Sequence, residues 1–330
     1  MKSILGIGNA LTDILAVLPD DSLLKSYNLP LGSMQHVDAP TGNKIWADLK
    51  QLGVQYVAGG SAANTISTAA IFGMPAGFIG KVGDDELGAL FLSDQRQNGI
   101  NSTLLKGTAA SGRAMVFITP QEDDRTFATY LGAALQLEPE DLKDEYFEGY
   151  DYLHIEGYLV QNQRLVRRAV EMGREHGMLI SIDLASYNVV ESNNAFLHDI
   201  VKDYVDIVFA NEMEARAFTG HEPREALDVI AELCDIAVVK VGKGGSMVRS
   251  GDEYHFIEAS PADTVDATGA GDTYAAGFLY AHACGMPLDV CGKVGSIIAG
   301  KVVEVIGTKI DIPRWREAKT EIRAIMGITE

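Results

Sequence analysis

Seven consecutive residues carry the densest chemistry in this 330-residue chain: Asp266-Ala267-Thr268-Gly269-Ala270-Gly271-Asp272. They run into Thr273-Tyr274-Ala275-Ala276-Gly277-Phe278-Leu279-Tyr280-Ala281, an apolar pattern rich in small residues that predicts a buried helix. The first N–H groups of such a helix lack internal partners and carry partial positive charge. Glycines let an anion approach that backbone closely. The N–H groups of Gly269, Ala270 and Gly271 are therefore placed to meet phosphoryl oxygens, and Asp272 to take a proton from an attacking alcohol. Phosphoryl transfer needs such a pair, an anion cradle and a nearby base. The plainer alternative is a glycine loop followed by an acidic first-turn residue; motif and context together favour chemistry over it.

Three further segments could complete a site. Gly59-Gly60-Ser61-Ala62-Ala63-Asn64 opens another helical pattern. Its glycines permit close approach of a ligand, and Asn64 lies one turn on, able to bond a hydroxyl; a tight turn with Ser61 as N-cap competes with that reading. Asn211-Glu212-Met213-Glu214 follows a strand candidate, and Asn211 and Glu214 share a helix face. Such a pair suits a Mg²⁺ that keeps most of its waters, and equally an N-cap Asn with a solvated Glu. Lys240-Val241-Gly242-Lys243-Gly244-Gly245-Ser246 puts a glycine-rich turn between strand-like runs, either bordering a nucleotide or forming a simple hairpin.

What is missing narrows the chemistry. No Gly-Lys pair precedes Ser or Thr, so there is no Walker A loop, and Gly6-Ile7-Gly8 lacks the third glycine of a dinucleotide fingerprint. Neither HExxH nor Gly-x-Ser-x-Gly occurs, and the seven histidines are scattered. Cys234, Cys284 and Cys291 form no CxxC pair, which argues against a zinc site or a disulfide framework. The net charge of -19, from 27 basic and 46 acidic residues, opposes partnership with nucleic acid or an anionic membrane. Any bound nucleotide must then be met locally by backbone N–H groups, a lysine or a metal. The first apolar run is too short for a signal peptide, and the apolar stretch 292–307 carries Lys293, Lys301 and Glu304, so it reads as a buried-face helix and not a membrane span. A cytoplasmic protein is expected.

These residues need a scaffold. Strand candidates at 3–6, 77–80, 152–155, 179–182, 207–209 and 237–241 alternate with helical patterns at 62–72, 85–98, 163–176, 193–202 and 212–219. Such alternation predicts a parallel sheet covered on both faces. The segments 11–18, 33–37, 113–119 and 126–130 break it as strands without intervening helices, the last two joined by a polar turn at 120–124. They form either a small separate sheet or an edge extension of the main one.

Together these segments resemble the ribokinase family, or PfkB-type carbohydrate kinases. The resemblance runs from Gly6 to about Gly307 and includes Gly8-Asn9-Ala10-Leu11-Thr12-Asp13, Gly59 to Asn64, Gly80-Lys81-Val82-Gly83-Asp84-Asp85-Glu86-Leu87-Gly88, Asn211 to Glu214 and Asp266 to Asp272. It implies an α/β, ribokinase-like parallel-sheet sandwich with a small β-sheet lid, one domain over 1–330 with lid strands at 11–18, 33–37, 113–119 and 126–130. It further implies ATP and Mg²⁺ as cofactors, with Asp272 as base and Gly269, Ala270 and Gly271 as anion hole. Asn9, Asp13, Gly59, Gly60 and Asn64 would hold the acceptor. Asn211, Lys240, Gly242, Gly245 and Thr268 would serve the nucleotide, and Glu214 would hold Mg²⁺ through water. Some members bind a monovalent cation, which would place Asp266 near K⁺. Family members are monomers or lid-paired homodimers.

Within the family, Leu5-Gly6-Ile7-Gly8-Asn9-Ala10, Gly32-Ser33-Met34-Gln35 and the run from Arg125 to Ala134 look like bacterial proteins labelled adenosine kinases. Asp183-Leu184-Ala185-Ser186 is similar to their Asn-Leu-Ser-type segment, with Asp in place of Asn. The resemblance therefore implies a nucleoside acceptor such as adenosine, for which Met34, Phe117 and Phe127 are available to stack a purine. A sugar acceptor is the alternative. A non-catalytic binding homologue is more remote, because Asp272 and every anion-hole position are present.

Overall fold

The computed structural model describes residues 1–119 and 125–328; the turn expected at 120–124 lies outside them. Short β-branched and apolar runs build a nine-stranded sheet. Its spatial order is Glu253–Ile257, Ser246–Ser250, Ile236–Lys240, Ile207–Asn211, Leu179–Asp183, Tyr152–Glu156, Ile4–Ile7, Ala76–Val82 and Asn101–Lys106. From Ile236–Lys240 to Asn101–Lys106 every pairing is parallel, and the first two strands close that edge as an antiparallel hairpin. All six strand candidates fall in this sheet. Parallel strands need crossover helices, which cover both faces. On one face Ile66, Phe78, Phe209, Phe278 and Ile298 pack with the helices Ser61–Ile71, Ala270–Ala283 and Leu288–Val302. On the other, Ile155, Ile182, Val166, Leu197 and Leu227 join the helices Gln163–Glu175, Tyr187–Tyr204 and Pro223–Ala231. Each such fully buried side chain contributes roughly 1.5–3 kcal/mol.

Most of the apolar 292–307 stretch lies in the buried helix Leu288–Val302, with 303–307 in the turn that follows, and among the described residues no helix is long and apolar enough to cross a membrane. The helix expected at 193–202 starts earlier, at Tyr187, and carries a non-helical Asn193 (φ -130°).

The segments that break the alternation form a second, five-stranded sheet in the order Met34–His36, Thr126–Tyr130, Gly112–Ile118, Leu11–Val17 and Gln55–Gly59. Gln55–Gly59 adds a fifth strand to the four read from the sequence. Successive side chains alternate between its faces. Ile14, Met115, Phe117 and Ala128 pack outward against Leu24, Ile45 and Leu49 from the helices Ser22–Ser26 and Ala39–Leu49. Asp13, Ala114, Phe127 and Thr129 face the other way, into a cavity. Phe117 is therefore unavailable to a ligand: its strand parity puts it in the outer core, 1% exposed.

Candidate active site

Neighbouring strands of the main sheet each end on a polar residue. In sheet order these are Lys240, Asn211, Asp183 and Glu156, and Asn9 follows shortly after the next strand, Ile4–Ile7. Carboxyl ends of parallel strands are where open α/β sheets place ligands. All five residues line one cavity of about 940 Å³ between the two sheets.

The helix Ala270–Ala283 points its first turn into this cavity. Gly269 is its N-cap in a left-handed conformation (φ 75°), which glycine adopts without strain. Asp272 Oδ1 accepts a hydrogen bond from Ser61 Oγ at 2.7 Å, and Oδ2 accepts one from Asn64 Nδ2 at 2.8 Å. Thr65 Oγ1 ties the same turn by donating to the Asp272 carbonyl. Ser61 is thus not the N-cap of its helix; that place belongs to Gly60, and the hydroxyl serves Asp272 instead. Burial pushes the Asp272 carboxyl up to about 6, against the lowering effect of Asn64 and Ser61.

Gly60 (φ 98°) links the strand Gln55–Gly59 directly to the helix Ser61–Ile71. A side chain there would collide with the Asn9 carbonyl, and one on Gly59 would collide with the Asp13 carboxylate. Gly60, Asn64, Asn9 and Asp13 line the cavity, whereas Gly59 lies behind Asp13 and supports it. Asp13 is pushed up to about 7 by burial and by the nearby Asp272 and Asp266 charges. Glu156 is nearly sealed and serves as an anchor: Oε1 accepts from Asn9 Nδ2 at 2.5 Å, and Oε2 from the Ala62 N–H at 3.1 Å. Burial lifts it to about 7 also.

Asn211 and Glu214 form a capping box, as the N-cap reading of their motif expects. Asn211 is an N-cap, its Oδ1 accepting from the Met213 and Glu214 N–H groups. Glu214 is 2% exposed, not solvated, and accepts from the Asn211 N–H at 2.7 Å and from Nδ2 at 2.6 Å. Burial and the neighbouring Asp183 push it up to about 7, with Lys240 opposing. Among the described residues no cluster of three or more acidic, His or Cys side chains could hold a metal. A cation that needs few protein ligands and completes its shell with water and phosphate still fits Glu214 and Asn211, which suits Mg²⁺.

Asp266 fits K⁺ poorly. Oδ1 accepts from the Thr268 N–H and hydroxyl, Oδ2 from the Gly307 N–H, and Arg125 Nε stands 3.6 Å from Oδ2. These donors and the guanidinium already offset much of its charge, and the carboxylate pins the loop ahead of the helix. Thr268 lines the cavity, as do Gly242 and Gly245, on the flank bounded by Ser260, Ala299 and Val303. The glycine-rich turn is a hairpin connection with a 3-10 turn at Gly242–Gly244, as the hairpin reading expects, and two of its glycines face the cavity.

The opposite end of the cavity is largely apolar, with Tyr158, Gln161 and Asn162 as its polar lining. Ala134, Leu135 and Leu137 come from around the turn Gly132–Gln136, Leu159 from the turn Gly157–Gln161, and Leu165 from the helix Gln163–Glu175. Phe127 and Met34 close it from the smaller sheet. Glu156 and these leucines lie in no motif, whereas Ser61 and Asp183 lie in motif segments that assign neither of them a part in the site. The one signal that reaches Glu156 and Asp183 is a charged residue ending a buried apolar strand.

Known proteins share this fold. The model of the pfkB family carbohydrate kinases matches residues 33–315. The adenosine kinase from Sinorhizobium meliloti is 34% identical with a TM-score of 0.87, covering 97% of this chain and 99% of that one. A probable sugar kinase protein from Rhizobium etli CFN 42 is 32% identical with a TM-score of 0.87, covering 97% and 98%. An uncharacterised sugar kinase of Archaeoglobus fulgidus is 26% identical over 73% of this chain and 96% of its own length. The chain belongs to the pfkB family of carbohydrate kinases, as its motifs led one to expect, and is an ATP-dependent phosphotransferase of the sugar and nucleoside kinase type.

Proposed function

We propose that the chain phosphorylates a hydroxyl of a nucleoside, adenosine in the first instance, with Asp272 as general base. The supporting observation is the apolar chamber beyond the hydroxyl-binding residues. Asp13, Asn64 and Gly60 suit a ribose, and the next space is lined by Leu135, Leu137, Leu159, Leu165 and Phe127. A free sugar would find few partners there beyond Tyr158, Gln161 and Asn162, and each buried hydroxyl left unpaired costs roughly 1–3 kcal/mol. A purine presents apolar faces instead. Among the described residues, the lysines lining the cavity are Lys240 and Lys243, both at the nucleotide end, and no arginine lines it. A phosphorylated sugar would therefore find no counter-charge in the chamber.

In this mechanism the acceptor hydroxyl lies between Asp13 and Asp272. Asp272 takes its proton as the oxygen attacks the γ-phosphorus, and the raised carboxyl is matched to work near neutrality. The Gly269 and Gly271 N–H groups meet the developing phosphoryl charge, while that of Ala270 donates to the Ala267 carbonyl at 3.2 Å. Asn211 and Glu214 orient waters of Mg²⁺, which when bound neutralises polyphosphate charge. Arg125, nearly buried with no hydrogen bond at Nε, flanks the same loop from the smaller sheet, which acts as a lid. The unpaired cysteines are in keeping with a cytoplasmic setting. The test is ADP formation with adenosine, inosine, ribose, fructose and fructose phosphates. Turnover with adenosine at least about tenfold above the sugars is expected; a preference for a sugar overturns the nucleoside assignment.

A further inference from the structure

We propose that Lys240 is a catalytic residue of the transfer step, its ammonium held by Asp183 beside Gly271 to neutralise the phosphoryl group as it moves. The inference rests on Asp272 and the first turn of its helix being the transfer site.

Position comes first. Lys240 ends the strand Ile236–Lys240, and its Nζ lies 2.8 Å from Asp183 Oδ2. Asp183 is itself fixed, because Oδ1 accepts from the Ala185 N–H at 2.9 Å, in a turn where Ala185 takes a left-handed φ of 68°. A non-glycine residue in that region stores strain, a sign that the turn is held for a purpose. A Cβ built on Gly271 would stand 3.0 Å from Lys240 Nζ and would meet no other atom within 4 Å. Gly271 is helical, so its backbone angles do not demand glycine. Its lack of a side chain leaves room for the ammonium against the cradle, open otherwise to the cavity.

Charge comes second. Asp13, Glu156, Asp183, Glu214 and Asp272 all line the cavity. An incoming polyphosphate meets this acid surplus, and Lys243, the other lining lysine, is exposed on the Gly242–Gly244 turn. Burial alone would favour a neutral Lys240, but Asp183, Glu214 and Asp272 outweigh it and hold the proton on. The cradle thus has one fixed cation of its own. Walker A loops bring such a lysine from a glycine loop; this chain brings it from a strand end.

In the step, the acceptor oxygen bonds to the γ-phosphorus and the bond from phosphorus to the bridging oxygen of ADP breaks. The hydroxyl proton passes to Asp272. Lys240 keeps its proton and pairs with the non-bridging oxygens, and Asp183 is the positioning residue that presents it.

The experiment uses the full chain with Mg²⁺ and ATP, and whichever acceptor turns over fastest. Lys240→Met is expected to lower kcat on the order of 10²–10³-fold, as loss of a transition-state charge contact does. Its KM for the acceptor should stay within about twofold, and Lys240→Arg should recover about tenfold of the loss. Asp183→Asn should lower kcat about tenfold with the same split. Melting transitions and binding of Mg²⁺ with ADP report folding. If Lys240→Met does not fold, the double variant Lys240→Met/Asp183→Asn, which removes both charges, carries the same expectation. A kcat within about threefold of the parent, or a change confined to KM for ATP, overturns the proposal. Asp272→Asn is run in parallel. Full activity there defeats the transfer site itself; an inactive Asp272→Asn beside a fully active Lys240→Met defeats only the role of the lysine.

Discussion

The two ends of the cavity are built in opposite ways. At the polar end, Lys240, Asn211, Asp183 and Glu156 sit one per strand on a rigid parallel sheet, and nearly every oxygen and nitrogen is engaged. At the apolar end, the lining comes from the short turns Gly132–Gln136 and Gly157–Gln161 and from the smaller sheet, and it is richest in leucine. Phosphoryl chemistry tolerates little displacement, so its groups belong on strands and helix ends. Acceptor choice is a matter of shape and desolvation, which a turn can change without disturbing the transfer geometry.

That division can be broken or sharpened by measurement. The largest effect is expected from Asp272→Asn: kcat lower by about 10³-fold, with ADP binding and acceptor preference unchanged. A shift in acceptor preference would show that the two ends are not separable. Next is pH. Asp272 must be ionised to accept the proton, and its carboxyl is raised to about 6. Activity should therefore fall as pH drops through about 6, to about a tenth by pH 5, measured as kcat/KM for the acceptor, which reports the free enzyme. An ordinary carboxylate would hold activity down to about pH 4.

At the other end, Leu159→Ala should raise KM for a nucleoside about tenfold, the worth of a lost apolar contact, and leave KM for ATP alone. An equal rise in both would count against the division. The smallest effect concerns stability. Asp13 and Glu156, each near 7, and Asp272, near 6, hold protons in the folded chain that the unfolded chain releases near pH 4. Stability should accordingly decline as pH rises from about 4 through 7, and level off above. Asp13→Asn should then melt about 1–2 °C higher than the parent at pH 8 and show no gain at pH 4. A lower melting point at pH 8 would mean that Asp13 supports the fold by contacts rather than straining it by charge.

The same contrast governs what the sequence reveals. The parallel sheet was legible because apolar β-branched runs alternate with helical patterns, and Asp266 to Asp272 because a helix N-terminus beside glycines has few other uses. The strands Gln55–Gly59 and Asn101–Lys106 were not, since exposed polar residues such as Gln55, Asn101 and Lys106 blur the apolar signal. Phe117 and Phe127 looked interchangeable, yet they lie in different strands, and only the register between those strands decides which faces a ligand. Asp183 and Glu156 needed neighbours far off in the chain to become meaningful. Asp266 illustrates the limit of analogy: the residue stands where expected, but its oxygens are committed to Thr268, Gly307 and Arg125.

Gly60 has a thermodynamic consequence. This single residue joins the smaller sheet to the helix whose Ser61 and Asn64 hold Asp272. A molecule gripped under that sheet and a nucleotide lodged against the first turn of the Ala270–Ala283 helix therefore act on the same joint from opposite sides. Whatever factor the first changes the affinity of the second by must be returned in full when the order of binding is reversed.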